Sequence, residues 1–181
     1  MSEYVVDTNV LLVATCFEIG APPEQLRRRG EDVPVTRVAD QEEVFAWLER
    51  LRKDPHGIIV LDEPEDQIQS EYRNKLSKKE YGRMVVAEKL TKGQVRWVTV
   101  DMDSDGHGVI PHGAADEVFD RADRKMVAAA VVSGAPIVNA CDTDWLDLHE
   151  SGALARLGVS VVHVIEPWCR AEWLRKKAAR S

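Results

Sequence analysis

The sequence predicts a single α/β domain built on a mainly parallel sheet, and three observations lead there. Short apolar runs alternate along the chain with segments of helical period. Those runs are continuously hydrophobic rather than alternating, as in Gly57-Ile58-Ile59-Val60-Leu61, the pattern of strands covered on both faces. With 181 residues and 44% hydrophobic side chains, the chain is long enough to bury one substantial core but short for two.

Tyr4-Val5-Val6 reads as a first strand that ends at Asp7, and Val10-Leu11-Leu12-Val13-Ala14 resumes with helical period. Residues 21–40, with Pro22-Pro23 and Pro34, read as a connection carrying a short helix or ribbon. An amphipathic helix follows over 41–53 (Val44, Phe45, Trp47, Leu48, Leu51), stopped by Asp54-Pro55-His56-Gly57, and then the strand at 57–61. Helices are predicted over 65–76 and 79–90, and a strand over 95–100. After a polar loop at 101–108 comes a helix over 114–133, whose small apolar face at 127–132 implies close packing on the sheet. Gly134 can cap it. A strand at 136–138, a helix within 144–157, a strand over 159–165 and a helix over 168–179 complete the chain.

No stretch approaches the roughly 20 apolar residues needed to span a bilayer, and the first residues lack the basic-then-apolar pattern of a signal peptide. A soluble, cytoplasmic protein with no membrane partner is expected. Cys16, Cys141 and Cys169 are odd in number and widely spaced, with no Cys-x-x-Cys pair, which fits a reduced compartment rather than a zinc or redox site. A net charge of −7 argues against a protein that coats nucleic acid through bulk positive charge. It leaves room for an enzyme that gathers carboxylates around cations while local basic patches meet phosphates. Such patches occur at Arg27-Arg28-Arg29, between Arg73 and Arg83 with Lys75, Lys78 and Lys79, and at Arg175-Lys176-Lys177. By themselves they read as solvated helix faces.

In open parallel sheets, ligands bind beyond the carboxyl ends of the strands, near the switch in strand order. Asp7 and Asp142 both follow short apolar strands and are expected at that edge. Glu71 lies in the helix after the second strand. Asp123 lies in the helix before the strand that leads to Asp142, with Asp120 three residues earlier on the same helical face. Carboxylates gathered in one crevice repel one another and take up protons unless compensated. Divalent cations are the natural compensation, and an oxygen-only set without His or Cys favours Mg²⁺ or Mn²⁺ over zinc. Beside a phosphodiester, a metal so held activates water and stabilises the leaving oxygen, so hydrolysis without a covalent enzyme intermediate is the expected chemistry.

Four segments, in order, carry a resemblance: Val5-Val6-Asp7-Thr8-Asn9-Val10-Leu11-Leu12; Ile68-Gln69-Ser70-Glu71-Tyr72; Asp123-Arg124-Lys125-Met126-Val127-Ala128-Ala129-Ala130; and Ile137-Val138-Asn139-Ala140-Cys141-Asp142-Thr143-Asp144-Trp145. They resemble the successive acidic motifs of the PIN-domain ribonucleases over nearly the whole chain. The resemblance implies a Rossmann-like three-layer α/β/α sandwich and a Mg²⁺ or Mn²⁺ site. It further implies endonucleolytic cleavage of single-stranded or structured RNA leaving a 5′-phosphate, with DNA as an alternative substrate. By matching positions it assigns metal-binding and catalytic roles to Asp7, Glu71, Asp123 and Asp142. Asn9 and Asn139 become candidates to orient ligands, water or substrate, and Arg73 and Lys75 candidates to contact substrate. Asn139-Ala140-Cys141-Asp142 is one residue longer than the usual motif, which sets Asp144 against Asp142 for the fourth metal position, with Asp142 favoured. Homodimers are frequent in the family, and a toxin with an antitoxin-like protein partner is compatible with the reading.

Other signals have plainer readings. Asp62, at the end of its strand, is expected to cap the next helix. Asp101, Asp103, Asp105 and Gly106 match the opening of a calcium loop, but the twelfth position holds His112 rather than Glu, so a polar lid or substrate-contacting loop is expected, with His107 and His112 at its surface. Trp145, beside the site loop, is a candidate for base stacking, and Cys141 a small packed residue. A haloacid-dehalogenase type of phosphatase needs a second Asp where this chain has Asn9. The remaining rival is a non-catalytic RNA-binding or partner-binding domain with the same fold.

Overall fold

A computed structural model describes residues 2–18, 20, 33–110, 118 and 120–180. Among them, β1 (Ser2–Val6), β2 (Gly57–Glu63), β3 (Val95–Thr99), β4 (Ile137–Asn139) and β5 (Val161–His163) form a sheet in the order β3-β2-β1-β4-β5. Every neighbouring pair is parallel. The strands that read as continuous apolar runs are covered on both faces: Val5, Val6, Ile59, Val60, Leu61, Ile137 and Val138 are fully buried. Helices α1 (Thr8–Glu18), α2 (Val38–Lys53) and α4 (Tyr81–Thr91) pack on one another, while α5 (Arg124–Ser133) lies across β1 to β4. The result is the three-layer α/β sandwich expected. No described helix is long and apolar enough to cross a membrane.

Chain order and strand order together place the site. The chain moves outward from β1 through β2 to β3, then returns to lay β4 on the opposite side of β1. The switch point therefore falls between β1 and β4, whose carboxyl ends lead directly to Asp7 and to residues 140–143.

Several boundaries differ from the expected ones, each for a local reason. The helix expected over 114–133 begins at Arg124, after a single 3₁₀ turn at Arg121–Asp123. The Asp120 side chain accepts from the Ala122 amide (2.8 Å) and holds extended backbone ahead of that turn. Residues 111–117 and 119 lie outside the described set, as do 21–32 of the expected connection. The helix expected within 144–157 is two, α6 (Asp144–Glu150) and α7 (Ala153–Arg156), because Gly152 takes φ +75° between them. The last strand is shorter than 159–165, and the C-terminal helix α8 spans Glu166–Arg180. Asp62 caps α3 (Gln67–Lys75) as expected, its carboxylate accepting from the Gln67 and Ile68 amides at 2.8 and 2.7 Å.

Two buried polar contacts lock the helices, one to the sheet and one to each other. The Lys89 ammonium, fully buried, donates to the carbonyls of Asp54 and Gly57 and to Gln94 Oε1, at 2.9, 2.9 and 3.1 Å. All three protons are placed, two on the turn that starts β2 and one on the residue just before β3. Thr15 Oγ1 accepts from the Gly82 amide (2.9 Å) and donates to the Leu11 carbonyl (2.7 Å), joining α4 to α1. The approach is so close that a Cβ at Gly82 would stand 2.6 Å from the Leu11 carbonyl oxygen. Gly82→Ala is therefore expected to lower stability by about 1–3 kcal/mol through overpacking. Urea unfolding checks this, and an unchanged midpoint would show that the two helices can separate freely.

Candidate functional site

Asp7 leaves the end of β1 almost fully buried, at 8% exposure. Trp145 Nε1 donates to its Oδ2 (2.7 Å) and the Asn9 amide to its Oδ1 (3.1 Å). The Tyr72 hydroxyl donates to the Val6 carbonyl, pinning the strand end just before it. Across the switch, Asn139 ends β4 with no exposure and works entirely inside the protein. Its Oδ1 accepts from Asn9 Nδ2 and from the Asp142 amide, both at 3.0 Å, and its Nδ2 donates to the Asp142 carbonyl at 2.8 Å. Asn9 Oδ1 in turn accepts from the Ala140 amide at 2.7 Å. The two asparagines thus clasp α1 to the loop that presents Asp142.

A cleft of about 570 Å³ opens beyond these strand ends, and Asp7, Glu71, Asp123 and Asp142 all line it. Burial holds the Asp7 carboxyl far up, at about 7, with Asp142 and Glu71 adding repulsion against the hydrogen bonds from Trp145 and Asn9. Asp123 is pushed to about 9, first by burial and then by Asp7, Asp142 and Asp120. Asp142 is also raised, chiefly by burial, although the Asp144 amide and Lys176 favour its charge. Glu71, one turn into α3, has its charge answered locally: Lys125 Nζ stands 2.6 Å from its Oε2, and Thr8 Oγ1 donates to its Oε1 at 2.6 Å.

Other predicted residues stand elsewhere. Asp144 is exposed and lines a neighbouring groove of about 610 Å³ that also meets Asp120 and Asp123, whereas Asp142 faces the cleft. Asn139 is sealed from any substrate and orders the Asp142 loop instead. Arg73 is outside the cleft lining, its guanidinium spent on Gln69, Ser70 and Asp66 along α3. Lys75 and Asn9 do line the cleft. Trp145 is fully buried, so it orients Asp7 and has no face for a base. Residues 101–110 do not line the cleft. Asp103 accepts from the Asp105 and His107 amides, closing the turn on itself, and Gly108 abuts the backbone of Arg124 and Lys125. That loop braces the start of α5; His112 falls outside the described residues.

Two basic residues of the cleft were given no role at the site from the sequence. Lys125 sits in the first turn of α5, where a cation opposes the helix dipole, and that mismatch was the available signal of nearby negative charge. Lys176 belongs to the C-terminal basic run, whose members diverge. Arg175 pairs with Glu172 and Lys177 lies over the Trp173 ring, while Lys176 reaches Thr143 Oγ1 at 2.9 Å and enters the cleft.

Among the described residues, no group of three or more His, Cys, Asp or Glu side chains is arranged to hold a metal ion. The donors fit a hard cation in kind, since Asp7, Asp123 and Asp142 offer oxygen alone, and each is raised first by burial and further by neighbouring carboxylates. No family model matches the chain, and no curated protein or solved structure matches it either.

The raised carboxyls set a pH dependence. Between the ordinary carboxylate range near 4 and about 7 to 9, the folded metal-free protein holds protons on Asp7 and Asp123 that the unfolded chain has released. Their contribution to stability is complete at low pH and is lost as pH rises through that window. Metal-free protein should therefore melt lower at pH 9 than at pH 5, and Asp123→Asn should raise the melting temperature at pH 8. Calorimetry in EDTA checks both; equal melting of variant and wild type at pH 8 would mean that Asp123 is not strained by its surroundings.

Proposed function

We propose that the chain is a metal-dependent nuclease of the PIN-domain type, an endoribonuclease acting on single-stranded or structured RNA. The observation that carries the reading is the meeting of Asp7, Asp123 and Asp142, all raised by burial, in one cleft at the switch point of a parallel sheet. A buried carboxylate group of this kind is uncomfortable when empty and receptive to a cation. Asp7, Asp123 and Asp142 would hold a Mg²⁺ or Mn²⁺ ion. The ion would supply a water of lowered pKa and charge stabilisation of the leaving oxygen.

The protein's own residues do the rest. Trp145 and the Asn9 amide fix the Asp7 carboxylate, the Asn9–Asn139 clasp fixes the Asp142 loop, and their burial keeps bulk water from relaxing either. Lys176, reached through α8, supplies positive charge where a phosphate of the bound strand would enter an otherwise acidic cleft.

A specific observation favours the rival reading of a non-catalytic RNA-binding domain: Glu71 is already paired to Lys125. Cleavage of end-labelled single-stranded RNA and DNA with Mn²⁺, Mg²⁺ or EDTA separates the two. Metal-dependent cutting is expected, falling to the EDTA level in Asp7→Asn. Binding without cutting of any substrate would establish the rival. Under the nuclease reading, Lys176→Gln should raise KM severalfold with little change in kcat and lower the salt slope of RNA binding by about one. An unchanged slope would place Lys176 outside the substrate path.

A further inference from the structure

We infer that Lys125 is a resident cation of the cleft, holding Glu71 in an ion pair so that the site takes one divalent ion rather than two. The inference rests on the metal-dependent reading above.

Both oxygens of Glu71 are engaged, Oε2 by Lys125 Nζ and Oε1 by the Thr8 hydroxyl, each at 2.6 Å. The same ammonium donates to the Ala122 carbonyl at 2.5 Å, and its side chain is 11% exposed, so it is held from two sides and largely dry. Its backbone is equally fixed, because Gly108 packs directly against Lys125 Cα and N, where a Cβ would stand 2.7 and 2.8 Å away. A lysine in the first turn of a ten-residue helix opposes the dipole, and Glu71 supplies the negative charge that retains it there. A divalent ion placed on Glu71 would meet this ammonium as a like charge in a partly desolvated site. Among the described residues, Asp7, Asp123 and Asp142 have no Lys or Arg at salt-bridge distance, and their oxygens line the same cleft. In this arrangement a fixed monovalent charge already engages Glu71, the carboxylate a second ion in the cleft would have to share.

Mn²⁺ titration by calorimetry at pH 8, with free Mn²⁺ counted by electron paramagnetic resonance, tests this on the wild type, Lys125→Met and Glu71→Gln. The wild type is expected to bind one Mn²⁺ per chain. Lys125→Met, with Glu71 released, should bind a second ion or bind the first at least about tenfold tighter. Glu71→Gln should keep one ion at an affinity within about threefold of wild type. Two ions in the wild type, unchanged binding in Lys125→Met, or loss of the ion in Glu71→Gln would each overturn the inference while leaving metal binding intact. If Lys125→Met fails to fold by circular dichroism, the Glu71→Gln titration decides alone. Absence of Mn²⁺ binding in every form would overturn the metal-dependent reading, and this inference with it.

Discussion

Desolvated negative charge at the carboxyl edge of the sheet is the constraint around which the rest of the structure is organised. Parallel strands covered on both faces end in a place from which water is largely excluded, and the chain puts Asp7 and Asp142 there on either side of the switch. Burial raises the proton affinity of both acids there, that of Asp7 to about 7. The surrounding groups are therefore donors: an indole nitrogen and a backbone amide on Asp7, a backbone amide on Asp142, a hydroxyl and an ammonium on Glu71. Asp123 is pushed highest, to about 9, by burial and by the charges of Asp7, Asp142 and Asp120.

The supports of this cleft come from distant parts of the chain and are mutually dependent. α5 reaches the cleft through Lys125, and its first turn is in turn seated by the loop containing Gly108. α8 reaches it through Lys176, placed about one turn beyond Trp173, whose indole donates to Asp147 and docks α8 on α6. Gly108 and Trp173, peripheral in the sequence, thus help set the geometry of cleft acids they never touch.

Much of the fold was legible in the sequence, since continuous apolar runs between amphipathic helices leave few ways to bury both faces of a strand. Asp7 and Asp142 were legible for the same reason, each being the first acid beyond such a run. Element ends were less so: a side-chain cap at Asp120 and a left-handed Gly152 override helical period, and periodicity does not register either. Residues whose role comes from through-space partners were hidden most. Trp145 and Asn139 stand beside the acids in sequence, and only their burial shows that they serve the acids rather than a substrate. Lys125 and Lys176 acquire meaning from Glu71 and Thr143, contacts that no local pattern encodes.

The clasp of Asn9 with Asn139 has a mechanical consequence. It ties the first turn after β1 to the loop after β4 by hydrogen bonds in both directions, while Trp145, the second residue of α6, reaches back to Asp7. The acids flanking the switch are consequently parts of one rigid body rather than two independently mobile loops. Any local opening that frees Asp142 must break the clasp and loosen Asp7 with it, so the site is present or absent as a whole.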